Sequence, residues 1–226
     1  PRTSAQPSWM HEFAQSPSAI VFDDRVRVFF CSRPPRDSDG MYQSYLAYID
    51  LDRGDLRRVV GVCREPLMPL GDLGTFDEFG TNPVSVIRDG PQLRAYYAGW
   101  TRCESVPING AIGVAVSVNG GETFHRLGPG PVLSYAPDEP FMIGSPRIRQ
   151  FGGSWVLWYV SGSAWLRTEG GKPEPVYRIR MATSADGLEW HRQGRDLIEP
   201  RLGIHECQAC PDVLFHDGRF HMFFSY

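Results

Sequence analysis

The chain has 226 residues, 42% of them apolar, and a formal net charge of −3. Its length and apolar content are enough to bury a sizeable core in one large domain or two small ones. The small negative charge argues against broad electrostatic binding to nucleic acid or to an anionic membrane surface. No uncharged apolar run reaches the roughly 18 residues of a transmembrane helix. The 24 glycines, 19 prolines and 12% aromatic residues predict many turns and short strands rather than a helical bundle.

The start of the chain and its cysteines bear on the compartment. The sequence begins at Pro1 without a charged and then apolar leader, so no signal peptide is visible, and a trimmed start is equally consistent with this. The five cysteines form an odd and dispersed set. Such a set disfavours a disulfide framework and favours an intracellular, cytoplasmic location.

One sequence pattern recurs four times along the chain. A small or polar residue precedes a proline, apolar residues alternate after it, and a turn leads into a second stretch with paired aromatic residues. The four prolines are spaced by 66, 63 and 65 residues: Pro17, Pro83, Pro146 and Pro211. A strand, a tight turn and a second strand are typical of a β-hairpin.

A second hairpin follows in each complete repeat, near Ala47, Ala115 and Ala182. Four antiparallel strands in about 65 residues describe one propeller blade. The sequence therefore predicts an all-β fold, a five-bladed β-propeller of four-stranded antiparallel blades, of which this chain holds about three and a half. We expect a single propeller domain over 1–226, with blade repeats near 12–77, 78–139, 140–205 and 206–226. Because an open propeller leaves unpaired strand edges, the missing blades are expected from the rest of a longer chain or from a partner.

Carboxylates precede the repeat prolines. Glu12, Glu78 and Glu206 each lie five residues before a proline, with Asp77 beside Glu78, while in the third repeat Glu139 lies seven residues before its proline. Acidic residues at one position of successive blades would form a ring of carboxylates around the axis. Glycoside cleavage needs such carboxylates, one to protonate the leaving oxygen and one to attack the sugar or activate water. The alternative is that each glutamate binds backbone amides where its blade starts.

Further residues near these positions are candidate substrate contacts, together with Glu139. Arg33 and Arg147 could hold a carboxylate or phosphate on a sugar, or could form salt bridges to a neighbouring blade. His11 and His205 each precede a repeat glutamate and could set its protonation or bind sugar hydroxyls. Asn82 stands directly before its repeat proline and is assigned to the same set.

Three tryptophans, Trp9, Trp100 and Trp165, lie outside the expected strand cores. Their rings could stack on sugar rings, or could pack under loops. We expect a carbohydrate substrate or ligand, and neither nucleic acid nor a membrane as partner. No metal site and no cofactor are predicted from the residues.

The chain resembles the five-bladed propeller glycosidases of glycoside hydrolase families 43 and 32. Residues 182–190, ATSADGLEW, are similar to the T-S-x-D-G-x-x-W hairpins of those families. Glu206-Cys207, followed by Pro211-Asp212, resembles the E-C-P-D element of family 32, whose glutamate is the general acid. Residues 208–210 separate the two halves of the element here. Those families usually carry a catalytic Asp directly before the proline of blade one, where this chain has Ser16.

The resemblance implies that Glu206 is the general acid of a glycosidase. The repeated glutamate five residues before the prolines leads to the hypothesis that Glu12 is the base or nucleophile, with these two roles exchangeable. Glu78 and Asp77 would stabilise the transition state. Related propellers sometimes hold a cation in the channel, which nothing in this sequence specifies. Two other functions stay open: a non-catalytic glycan-binding propeller, and a glycan phosphorylase or transferase in which Arg33 or Arg147 holds phosphate.

Overall fold

The computed structural model describes residues 7–226, in which strands and turns alternate and no α-helix occurs. Three antiparallel sheets have four strands each, in sequential order. The first sheet contains β1 (Glu12–Val21), β2 (Arg25–Arg33), β3 (Tyr45–Asp52) and β4 (Val59–Val62). The second contains β5 (Gly80–Asp89), β6 (Gln92–Arg102), β7 (Ile108–Ser117) and β8 (His125–Arg126).

The third sheet contains β9 (Ile143–Phe151), β10 (Ser154–Leu166), β11 (Glu174–Ser184) and β12 (His191–Arg192). A two-stranded sheet follows, made of β13 (Ala209–His216) and β14 (Arg219–Ser225). Three four-stranded blades and half of a fourth confirm the prediction of an all-β propeller with three and a half blades in this chain. None of the described residues forms a helix long and apolar enough to cross a membrane.

Tight turns close the first hairpin of each sheet. Gly152 and Gly153 have φ values of +57° and +83°, and Asp217 and Gly218 have +49° and +73°. Two successive residues with positive φ match the twist of the two strands that they join, which is why glycine and aspartate are favoured there. The Asp-Gly and Gly-Gly pairs of the sequence therefore end strands where the repeat pattern predicts.

The innermost strands of successive blades pack against one another around a common axis: β1 on β5, β5 on β9, and β9 on β13. Side-chain hydroxyls link them, because Ser18 Oγ accepts the backbone N–H of Val86 at 2.9 Å and Ser85 Oγ accepts that of Ile148 at 3.1 Å. The four repeat prolines all line one central cavity of about 200 Å³. The prolines therefore mark the axis of the propeller.

The paired aromatic residues of the second blade, Tyr96 and Tyr97, lie in two different apolar clusters. Tyr97 belongs to the apolar cluster between the first and second blades, with Phe29 and Phe124. Its neighbour Tyr96 belongs to the cluster between the second and third blades, with Leu157. Successive residues of a strand point to opposite faces of the sheet, so a blade that is covered on both faces needs two adjacent large side chains.

Candidate functional site

The central cavity is built on irregular backbone at the start of each innermost strand. Ser16, Ser145 and Cys210, each directly before a repeat proline, have φ values of +55°, +45° and +51°, and the strand pairing shifts register beside each of them. Such bulges re-aim the residues that they contain. All three line the cavity, together with Arg147. Among the described residues that line it none is acidic, which differs from the carboxylate ring that the spacing predicts.

Arg147 reaches across to the neighbouring blade. Its Nε lies 3.2 Å from Oδ1 of Asp212, which also pairs with Arg149 at 2.7 Å. Burial lowers the pKa of the Arg147 guanidinium, and the charge of Asp212 opposes that shift. Arg147 was a candidate either for an anionic group of a sugar or for a salt bridge to a neighbouring blade. The structure shows the salt bridge, with Asp212 as the partner.

Asp77 is buried within its own blade, with 1% of its surface exposed. Its Oδ2 accepts hydrogen bonds from the Tyr97 hydroxyl at 2.9 Å and from Arg126 Nε at 2.7 Å, and its Oδ1 accepts one from the Thr75 hydroxyl at 3.1 Å. Tyr97 is on the second strand of the blade and Arg126 on the fourth. The carboxylate therefore joins the segment before β5 to the outer part of the same blade.

Glu139 repeats this arrangement in the third blade, where it is fully buried. Its Oε1 accepts hydrogen bonds from the Tyr159 hydroxyl at 2.8 Å and from Arg180 at 3.1 Å, and its Oε2 accepts one from Arg192. Every carboxylate oxygen has a partner from the same blade. Such a group stabilises the blade and leaves no oxygen exposed for a ligand.

Glu206 accepts backbone hydrogen bonds from the loop before it. Its Oε2 lies 2.6 Å from the N–H of Arg201 and 2.8 Å from that of Leu202, and its Oε1 accepts the side-chain amide of Gln208 at 2.8 Å. The bond from Gln208 and then the backbone bonds lower the pKa of the Glu206 carboxyl. A general acid needs a raised pKa, so this environment favours a structural carboxylate. His205, beside it, is exposed.

Glu78 has a similar local contact, because its Oε2 accepts the backbone N–H of Gly74 at 3.0 Å. Glu12 differs from the other acids. Its Oε2 accepts the Tyr42 hydroxyl at 2.8 Å, His11 Nδ1 lies 3.5 Å from its Oε1, and 37% of its side chain is exposed. Glu12 also pairs with Arg33 across the β1–β2 ladder.

A groove of about 350 Å³ lies where the first three blades meet. Blade one contributes Arg33 and the loop after it, blade two contributes residues near the start of β5, the end of β6 and the start of β7, and blade three contributes the long β10–β11 connection with the strand ends beside it. The main lining side chains are four aromatic residues, three cations and one amide: Tyr42, Trp100, Trp165, Tyr177, Arg33, Arg36, Lys172 and Asn82. Since Asn82 lines the groove and Pro83 lines the central cavity, the two cavities adjoin.

Two polar atoms of the groove residues are buried without a hydrogen-bond partner: Oδ1 of Asn82 and Nε of Arg33. The Arg33 guanidinium lies over the rings of Phe13 and Tyr42, 4.7 and 4.9 Å from their centroids. Burial lowers the pKa of Arg33. Buried polar groups are normally hydrogen-bonded, and an unpaired one calls for an explanation such as a missing ligand or water.

The predicted site residues therefore separate into two groups. Arg33 and Asn82 line the groove, and Glu12 contacts its wall through Tyr42. The other acids hold segments of their own blades or loops in place. Trp100 and Trp165 line the groove, whereas Trp9 donates a hydrogen bond to the Arg64 carbonyl at 2.8 Å.

Four of the main lining side chains are not among the residues predicted from the sequence: Arg36, Tyr42, Lys172 and Tyr177. The sequence does distinguish Lys172, because it is the only lysine in a chain with 22 arginines. The three others have no distinctive spacing.

The sheet order and the central cavity define a β-propeller.

No family model matches the chain. The chain is 30% identical over 222 residues to the uncharacterized protein Rv1502 of Mycobacterium tuberculosis strain H37Rv, covering 98% of this chain and 71% of that protein. The uncharacterized protein MT1551 of strain CDC 1551 matches with the same figures. The chain belongs to the family of these mycobacterial proteins.

Solved structures share the fold. A GH32 β-fructofuranosidase of Bombyx mori superposes with a TM-score of 0.67 at 18% identity, over 93% of this chain and 41% of the enzyme. The sucrose-6-phosphate hydrolase of Lactobacillus gasseri gives 0.67 at 16% identity, over 93% and 40%. A structure from the GH130 family of mannoside phosphorylases gives 0.58 at 17% identity, over 85% and 54%. The chain spans about two fifths of the length of the first two enzymes, and the likeness at these identities is one of fold.

Proposed function

We propose that this chain forms part of a carbohydrate-active propeller and that its sugar ligand binds in the groove at the junction of the first three blades. One observation carries the proposal: four aromatic side chains line one groove together with Asn82 and Arg33, two residues that each have a buried polar atom without a hydrogen-bond partner. A sugar ring offers an apolar face to Trp100, Trp165 or Tyr177 and hydroxyl donors to the free Asn82 oxygen. Ligand sites typically combine apolar walls with a few such polar groups.

The fold supports the same class of ligand, because the solved structures that share it are named as glycoside hydrolases and as members of a mannoside phosphorylase family. Binding is the part of the function that the groove supports best. The acids Asp77, Glu78 and Glu206 accept hydrogen bonds that hold the chain in place, which makes them weak candidates for proton transfer.

Glycoside hydrolysis is the second candidate, favoured by the position of Glu12. This carboxylate is partly exposed, stands against the groove wall and is held by the Tyr42 hydroxyl. It could act as the acid or base of a glycosidase. The second carboxylate of that mechanism would then have to come from elsewhere in the whole protein.

A saccharide panel tests the binding proposal. Neutral mono- and oligosaccharides, hexose 6-phosphates and uronic acids are titrated into the protein, and heat and tryptophan fluorescence are recorded. Trp165→Ala should weaken binding about tenfold or more, since a stacked aromatic contributes substantially to a ligand site. Trp9→Ala is the matched control, because Trp9 does not line the groove. If no saccharide of any class binds at millimolar concentration, or if both variants weaken binding equally, the proposal is wrong.

A further inference from the structure

We propose that the sugar held in the groove is anionic, a sugar that carries a phosphate or a carboxylate group, and that Arg33, Arg36 and Lys172 bind this group. The inference rests on the proposed function and specifies its substrate class. The three cations come from two blades: Arg33 ends β2 and Arg36 follows it in blade one, and Lys172 lies between β10 and β11 in blade three. Among the described residues that line the groove, none is Asp or Glu.

The charges of the cations are not neutralised by the contacts that hold them. Arg36 donates to the Gly40 carbonyl at 3.0 Å and to the Tyr42 hydroxyl at 2.9 Å. Lys172 Nζ lies 3.7 Å from the sulfur of Met41. These partners are neutral, so neither contact pairs the cation with an opposite charge.

Burial lowers the pKa of Arg33, and the charge of one carboxylate, that of its ladder partner Glu12, opposes this shift. The hydroxyl of Tyr42 also donates to that carboxylate. One acid beside three cations leaves the groove with a net positive charge. Arg102, at the end of β6, is by contrast paired with a carboxylate, because its Nη2 lies 2.6 Å from Oδ2 of Asp37.

The orientation of Arg33 suits an anion. Contacts with the rings of Phe13 and Tyr42 hold its guanidinium plane, and its buried Nε has no partner. A guanidinium fork matches the oxygens of a carboxylate or phosphate, and a fork that is already held loses less entropy when the ligand binds. The aromatic walls beside it fit the sugar ring, which is why the ligand is a sugar with an anionic group rather than an anion alone.

Lys172 provides a reporter for the test, because it is the only lysine of the sequence. Reductive ¹³C-methylation labels this amine and the N-terminal amine of the protein, and Lys172 gives the one lysine signal of this sequence in the NMR spectrum. The ligands are glucose, mannose and galactose, their 6-phosphates, their uronic acids, and inorganic phosphate. We expect a 6-phosphate or a uronic acid to shift the lysine signal and to bind at least about tenfold more tightly than its neutral parent, as charge-assisted hydrogen bonds provide. Comparison of the phosphates with the uronic acids identifies which anion is preferred.

Substitutions of the cations test whether their charge, and not the stability of the fold, determines binding of the anionic sugar. Arg33→Met and Lys172→Met should each weaken binding of the anionic sugar about 10- to 100-fold and leave the neutral parent within about twofold. Arg33→Lys keeps the positive charge but loses the two-pronged guanidinium group, and its affinity for the anionic sugar should lie between those of the native protein and Arg33→Met. The control is Arg57→Met, whose side chain is 94% exposed elsewhere. Thermal unfolding checks each variant, and the exposed Lys172 keeps the test valid if Arg33→Met does not fold.

The outcomes distinguish this inference from the proposed function. If neutral sugars bind as tightly as anionic ones, or if the cation variants weaken both equally, the sugar-binding groove stands and the anionic ligand is wrong. If inorganic phosphate binds as tightly as the sugar phosphates, the ligand is an anion without a recognised sugar, and the inference is also wrong. If no saccharide of either kind binds, both fail.

Discussion

Asp77 and Glu139 occupy equivalent places in successive blades, and each accepts a hydrogen bond from a tyrosine 20 residues further along the chain and from an arginine of the fourth strand. The two sets differ in the length of the acidic side chain and in one added contact each, the Thr75 hydroxyl at Asp77 and Arg180 at Glu139. Because the same three-residue connection recurs where the blade repeats, it belongs to the construction of the blade.

This construction predicts a loss of stability when either acid is removed. Asp77→Ala should lower the free energy of unfolding by about 3 kcal/mol, because it leaves Arg126 and the Tyr97 hydroxyl without their acceptor in a buried setting. Denaturant unfolding followed by circular dichroism measures the change. Asp72→Asn, in the exposed part of the same loop, is the control. Loss of sugar binding without loss of stability would instead assign Asp77 to the site.

The interblade serines give a second prediction. Ser18→Ala and Ser85→Ala should each cost about 1–2 kcal/mol of stability, because each leaves a buried backbone N–H of the next blade without an acceptor. The loss in the double variant should differ from the sum of the two single losses, because Val86, the partner of Ser18, directly follows Ser85 in β5. Denaturation midpoints measured under one set of conditions test this. An unchanged midpoint in both single variants would mean that water replaces the hydroxyls.

Glu206 predicts a dependence of stability on pH. Its hydrogen bonds lower its folded-state pKa below the ordinary glutamate value, which is about 4.3 in an unfolded chain. A lowered pKa contributes stability that is fully present above the unfolded value and is lost as the pH falls through the folded value. The native protein should therefore be more stable than Glu206→Gln at pH 7, and the difference should shrink below about pH 4.

Thermal midpoints of both proteins between pH 7 and pH 3 provide the measurement. Glu199→Gln, at an exposed glutamate in the preceding loop, serves as the control. A stability difference that is constant across this range would show that the charge of Glu206 does not contribute.

The sequence predicted the blades well and the groove poorly, for physical reasons. The prolines and the adjacent aromatics Tyr96 and Tyr97 are local signals, because a blade covered on both faces imposes the same pattern on each repeat. The glutamates five residues before the prolines share a spacing but have different partners, since the backbone irregularities near the prolines change where each residue points. The equivalent acids are instead Asp77 and Glu139, at unequal spacings. Groove residues such as Lys172 lie on loops that do not repeat, so their meeting depends on the assembled fold.

Glu12 yields a prediction on chemistry. Glu12→Gln keeps the shape of the side chain and should leave saccharide binding within about threefold, while any glycoside turnover by the protein should fall about 10²- to 10⁴-fold, the usual contribution of an acid–base group. Binding by calorimetry and turnover of chromogenic glycosides are measured on the same preparations. Glu65→Gln, an exposed glutamate outside the groove, is the control. Unchanged turnover in Glu12→Gln would remove this residue from the mechanism.

Tyr42 contacts both Glu12 and two cations of the groove. Its hydroxyl donates to Glu12 and accepts from Arg36, and its ring lies against Arg33. Tyr42→Phe keeps the ring and should weaken binding of an anionic sugar only about two- to fivefold, the cost of losing a hydrogen bond at a partly exposed site. Tyr42→Ala also removes the ring that holds Arg33 and should weaken it at least about tenfold. Calorimetric titration of both variants against the native protein measures the difference. Equal losses in the two variants would show that the hydroxyl, and not the stacking of Arg33, prepares the groove for its ligand.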